Sequence, residues 1–113
     1  MRVRKSQMLK SAPIFAALGD ATRLAIVSRL STEGPLPTIA LGKDAQVSRQ
    51  ALTKHLQLLE EIGIVKSERV GRDRRWQIKT QRIEEVRRYL DQISAQWDAR
   101  VERLRNFVEE GDD

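Results

Sequence analysis

Between residues 83 and 108 the apolar side chains Ile83, Val86, Leu90, Ile93, Trp97, Val101, Leu104 and Val108 recur at spacings of 3, 4, 3, 4, 4, 3 and 4. That is the period of a single helix face, with a stutter at Trp97. It predicts one long helix over 82–109. A shorter stripe, Leu24, Ile26, Val27 and Leu30, marks a second helix that Asp20 caps. Before it, Gly19 ends a helix over 11–18 for which Ser11 is the expected cap, with Pro13 tolerated in the first turn. Gly34, Pro35 and Pro37 break the chain, and a short helix over 38–44 follows. Ser48 is the best cap in the sequence and opens "RQALTKHLQLLEEI", which Gly63 closes. Two β-branched and aromatic runs, "IVKSERV" and "RRWQIK", then flank Gly71, Arg72 and Asp73 as a hairpin. The predicted order is four helices, a hairpin and a final helix (α-α-α-α-β-β-α), an α+β chain that is mostly α.

On a helical wheel started at Arg49, the residues Arg49, Gln50, Thr53, Lys54, Gln57, Glu60 and Glu61 fall within one arc of about 140°. The opposite arc holds Ala51, Leu52, Leu56, Leu58, Leu59 and Ile62. The wet face is graded, cationic and amide-bearing in its first two turns and acidic in its last. Such a helix suits entry into a DNA major groove by its N-terminal end, and taken alone it equally suits a plain solvated face. Arg bridges guanine O6 and N7, Gln bridges adenine N6 and N7, and Thr donates or touches a thymine methyl. His55, the single histidine, falls inside the apolar arc. It reads as a packed ring with its nitrogens satisfied locally, ahead of a phosphate contact or a metal ligand.

Charge sharpens this. The 113 residues carry a net charge of +5, but residues 1–81 hold 15 Lys/Arg against 7 Asp/Glu, while 82–113 hold 6 against 9. The basic part has an acidic partner to find, and nucleic acid is the commonest. The absence of cysteine excludes disulfides, thiolate metal sites and thiol redox sensing. No Gly-rich phosphate loop, Cys/His pair or Ser/His/Asp set is present, so neither an enzyme nor a cofactor is expected. No apolar run approaches the roughly 18–20 residues of a membrane span, and "MRVRKSQMLK" lacks the apolar core of a signal peptide. A cytoplasmic protein without a membrane partner follows, nucleoid-associated only through any DNA binding.

"LGDATRLAIVSRL" followed by "VSRQALTKHLQLLEEIGIVKSERVGRDRRWQIK" closely resembles the ArsR-type (arsenic-repressor-like) winged helix-turn-helix regulators of bacteria. The resemblance implies a winged helix-turn-helix domain over 11–80, flanked by a basic arm over 1–10, a dimerisation helix over 81–109 and a tail over 110–113. It implies a homodimeric repressor of double-stranded DNA, reading an inverted repeat through helix 48–62 and wing 64–79. Ser48, Arg49, Gln50, Thr53 and Lys54 are its candidate contacts on the helix; Arg69, Arg72, Arg74 and Arg75 are those on the wing. Between residues 66 and 79 six cations face two acids, a repulsion that phosphate would relieve by releasing condensed counterions.

A helix of about 28 residues spans roughly 42 Å, longer than the 30–35 Å or so of a compact domain of this size. Its stripe therefore calls for a two-fold partner, with Ile14, Phe15, Leu90, Ile93, Trp97, Val101, Leu104 and Val108 as the candidate dimer interface. Relatives sense metals through cysteines or through His/Asp/Glu sets, and this chain departs from both patterns, so no metal site is expected. Regulation by an unidentified small-molecule effector at the dimer seam, or by no inducer, stays open. So does an alternative role as a protein-interaction module without DNA readout.

Overall fold

The protein is described by a computed structural model covering residues 5–43 and 45–111. Its elements are α1 (Lys5–Leu18), α2 (Ala21–Glu33), β1 (Leu36–Pro37), α3 (Thr38–Lys43), α4 (Arg49–Glu61), β2 (Val65–Val70), β3 (Asp73–Ile78) and α5 (Thr80–Gly111). The mostly helical winged helix-turn-helix architecture expected from the sequence is present, with one addition. β1 joins the hairpin as an edge strand in the order β1-β3-β2, pairing Leu36 with Trp76 and Pro37 with Arg75. A proline offers no amide to a ladder and is confined to such edges, which is why "EGPLP" reads as a mere break.

The helix ends are set by local chemistry. Asp20 accepts from the Arg23 amide at 3.0 Å to open α2. The Ser48 hydroxyl accepts from the Ala51 amide at 3.1 Å to open α4. At the far end of α4, Gly63 takes φ 82°, its amide donates to the Glu60 carbonyl at 3.1 Å, and the Ile64 amide donates back to Leu59 at 2.9 Å. This is the Schellman arrangement, accompanied by the burial of Leu59 and Ile64 against the core. The Lys79 amide donates to the Ile64 carbonyl at 2.8 Å and closes the base of the hairpin.

Three expectations need correction. Helix α1 begins at Lys5, so Ser11 lies inside it and is buried rather than serving as its cap, and Pro13 sits in the helix interior. Of the basic arm expected over 1–10, residues 5–10 are helical; residues 1–4, like Asp44 and tail residues 112–113, lie outside the described residues. Leu24 and Leu58, placed on apolar stripes, are substantially exposed at the edges of theirs. The core forms where α1, α2 and α4 meet the sheet: Ile14, Leu30, Leu52, Leu56, Leu59 and Trp76 are all at most 3% exposed.

α5 is the feature that breaks compactness. At 32 residues it runs to about 48 Å, and only its first turns are held, by half-buried Ile83 and buried Val86. The molecule measures 73 × 28 × 21 Å with a radius of gyration of 19.5 Å, against about 13 Å for a compact chain of this length.

Candidate nucleic-acid interface

The cap at Ser48 fixes the first turn of α4, and from there Arg49, Gln50, Thr53, Lys54 and Gln57 form one open face. Capping uses a lone pair of the Ser48 oxygen and leaves its hydroxyl hydrogen free to donate. The Thr53 hydroxyl already donates to the Arg49 carbonyl at 3.0 Å. Thr53 therefore presents an acceptor oxygen and a methyl group outward, which leaves the methyl contact, of the two roles expected of it, as the one open to DNA.

The hairpin reaches the same side. Gly71 takes φ 65° and Arg72 keeps a negative φ, the signs of a two-residue type II′ hairpin turn between paired Val70 and Asp73. An open groove of about 220 Å³ results, in which Arg49, Thr53 and Gln57 of α4 meet Arg72, Asp73, Arg74 and Trp76 of the wing, with Thr38 and Ile39 of α3 as its floor. None of Arg49, Arg69, Arg72 and Arg74 pairs with a carboxylate among the described residues. Arg69 lies directly across the ladder from Arg74, a juxtaposition of like charges that destabilises the isolated hairpin.

Two ties hold the wing in this attitude, and one contact within it orients an arginine. The buried Trp76 donates from Nε1 to Thr38 Oγ1 at 2.8 Å. Its ring lies 5.7 Å beneath the Arg74 guanidinium, a cation–π contact that orients Arg74 along the groove. The Ser67 hydroxyl donates to Glu60, binding β2 to the last turn of α4. Glu60 is thus a structural partner of the wing rather than a free acid on the helix face.

Among the nine sequence-derived contacts, the groove gathers Arg49, Thr53, Arg72 and Arg74, and the open face of α4 adds Gln50 and Lys54. Ser48 precedes them at the cap, and Arg69 shares the face of Arg74 by strand register. Arg75 is different. Strand alternation turns it to the other face, directly across from Glu68, so it does not enter the groove. Gln57, Thr38 and Ile39 line the groove without having been singled out. Gln57 already lay on the wet arc of the wheel, whereas Thr38 and Ile39 are brought in only by the pairing of β1 with β3.

At the other end of the molecule, Leu90, Ile93, Trp97, Leu104 and Val108 are exposed along α5, with Phe107 beside them at 75%; Val101 is half-buried. Phe15 is at the edge of exposure, its ring 6.0 Å from that of Tyr89. Ile14 does not belong to this set. It is 2% exposed within its own chain, because position 14 faces the α1 core side with Ala17, and it has no surface to offer a partner. Among the described residues no three His, Asp or Glu side chains gather into a metal-binding group, and no helix is long and apolar enough to cross a membrane.

The sequence matches a family model described as a helix-turn-helix domain over residues 18–68. It is 35% identical over 100 residues to the HTH-type transcriptional regulator Rv2034 of Mycobacterium tuberculosis, covering 88% of this chain and 90% of that protein. It is 42% identical over 67 residues to the uncharacterized HTH-type transcriptional regulator YuzN of Bacillus subtilis, covering 54% of this chain and 73% of that one. Among solved structures, an ArsR-like transcriptional regulator from Rhodococcus sp. RHA1 superposes with a TM-score of 0.76 at 33% identity, over 90% of this chain and 95% of that one.

Proposed function

The chain belongs to the ArsR family of winged helix-turn-helix, DNA-binding transcriptional regulators, and from that premise we propose that it acts as a homodimeric repressor of an inverted-repeat operator. α4 enters the major groove of each half-site, where Arg49, Gln50, Thr53 and Lys54 meet base edges. Arg72 and Arg74, with Arg69 behind them, neutralise phosphate along the adjacent backbone. The exposed stripe of α5 closes against its copy, and two recognition helices then lie about 34 Å apart, one turn of B-form DNA.

The single observation that supports the DNA-contacting half of this reading most strongly is the shared groove. Unpaired cations from a helix and from a loop more than 20 residues downstream converge on one side of the chain, and such a surface is costly to build unless a polyanion covers it. Operation in the cytoplasm, on the chain's own promoter or a neighbouring one, completes the proposal. The test is binding to the duplex upstream of its gene, measured against a scrambled duplex of equal length across a salt series. Preference for the native duplex with a steep, linear fall of log K against log salt is expected. Equal binding to both duplexes, or an affinity indifferent to salt, would overturn it.

A further inference from the structure

Away from the groove, one polar junction ties α4 to the helices behind it. Arg23 stands in the first turn of α2. Its amide donates to Asp20 Oδ2 at 3.0 Å, its Nε donates to the Ala17 carbonyl near the end of α1 at 2.8 Å, and its Nη1 lies 3.1 Å from Nδ1 of His55 on α4. Asp20 Oδ2 lies 4.0 Å from the same ring nitrogen, and the His55 side chain is 21% exposed. A guanidinium has donors and no acceptor, so the contact has one polarity. Nη1 donates, Nδ1 accepts, and the ring proton resides on Nε2.

The position of this bond gives it a consequence. On the buried side of α4, Leu52, Leu56 and Leu59 set the depth of the helix in the core, but apolar contact is non-directional and tolerates a small roll about the helix axis. A hydrogen bond weakens steeply with misalignment. His55 is the polar side chain on that buried arc, two residues from Thr53 and one from Lys54. A roll of α4 that redirected Arg49 and Thr53 would break the Arg23–His55 bond. The other end of the junction is anchored on α1, which packs on α5 through Phe15 and Tyr89.

We propose that Arg23 is a positioning residue for DNA readout: through His55 it locks the rotation of α4, and through Ala17 it refers that rotation to the α1–α5 layer. The inference rests on α4 being the DNA-reading helix, as proposed above. It adds that discrimination between sequences depends on a residue that touches no DNA.

His55 is the single histidine of the chain, so its ring is readable without assignment in a long-range proton–nitrogen spectrum of the full-length protein. The Nε2–H tautomer is expected in the wild type; an Nδ1–H tautomer overturns the proposal outright. Arg23→Met and His55→Leu are then compared on the upstream duplex and the scrambled duplex. Each is expected to lower discrimination between the two by on the order of tenfold, with the double variant no worse than either single one. The salt slope should stay that of the wild type, because no phosphate contact is lost. His55→Gln, which keeps an acceptor, should recover most of the discrimination. A purely structural role predicts instead that binding to both duplexes falls in step with melting temperature, and that outcome overturns the proposal. If Arg23→Met does not fold, the ring spectrum and the His55 pair decide. Wild-type protein that fails to discriminate at all sinks the DNA reading itself, whereas a discriminating wild type with unaffected variants sinks only the role of Arg23.

Discussion

The α4–wing face and the distal half of α5 are each left unsatisfied by a single chain, in opposite currencies. In the hairpin most apolar side chains are consumed: Ile64, Val65 and Trp76 are buried while Val70 at the tip is exposed, and what dominates outside is charge. On α5 part of the charge is paired within the helix, Arg82 with Glu85 at 3.0 Å and Arg87 with Glu84 and Arg105 with Glu102 at 3.6 Å, and what has no cover is a stripe of apolar surface. Exposed pairs of this kind add little stability, but they cancel the local field. Surplus charge points to a polyanion and surplus apolar area points to a like surface. Under the proposed function the first face is the one that meets DNA and the second the one that meets a copy of the chain.

The sharpest break in that comparison is to put charge into the apolar stripe. Trp97→Asp and Leu104→Asp act at exposed positions, so the folded protomer should survive with little change in melting temperature. In a two-fold assembly each change is met by its copy, and two lost burials of about 1.5–3 kcal/mol make a loss of roughly 3–6 kcal/mol. Sedimentation should find monomers, and operator binding should fall a hundredfold or more. Next in size is removal of the surplus charge. The double change Arg72→Ala with Arg74→Ala should weaken binding to native and scrambled duplexes alike and reduce the slope of log K against log salt by about 1.8. Arg49→Ala should cost about 1–3 kcal/mol on the native duplex and much less on the scrambled one, a split that binding isotherms on the two duplexes would reveal.

Two smaller effects concern the frame. A β-carbon added at Gly71 would meet open space, but the residue holds φ 65°, so Gly71→Ala should cost about 1 kcal/mol by forcing an L-residue into the left-handed region. Thermal melting reads it. The Asp20 carboxyl is held below the usual carboxylate range, first by the Arg23 amide and then by the charge of the Arg23 guanidinium. A depressed carboxylate contributes stability above its unfolded pKa and loses it as pH falls through the folded one. Acid denaturation of Asp20→Asn should therefore show a weaker pH dependence than the wild type below the ordinary carboxylate range.

What was legible in the sequence was local. The Ser48 cap, the Gly63 terminator and the graded face of α4 each lie within a few residues of the signal that announces them, and the stripe of α5 is a plain repeat. What was hidden depends on contacts between distant segments. β1 is two residues long, and its pairing with β3 is decided some 40 positions downstream, which is also why Thr38 and Ile39 went unnoticed at the groove. Periodicity showed that Ile14 is apolar without showing that its neighbours are its own chain's. The wheel placed His55 among the leucines, yet its partner Arg23 is 32 residues away and no spacing rule connects them. Arg75 was grouped with its neighbours by charge, and only the strand register separates it from Arg74.

The claim that one molecule unites both faces is tested most directly by weighing the protein on its DNA. Native mass spectrometry of the chain titrated onto its upstream duplex should show complexes that gain two chains of 13.0 kDa together, with no population carrying one. A saturable complex of one chain per duplex, at an affinity matching the bulk isotherm, would contradict the account.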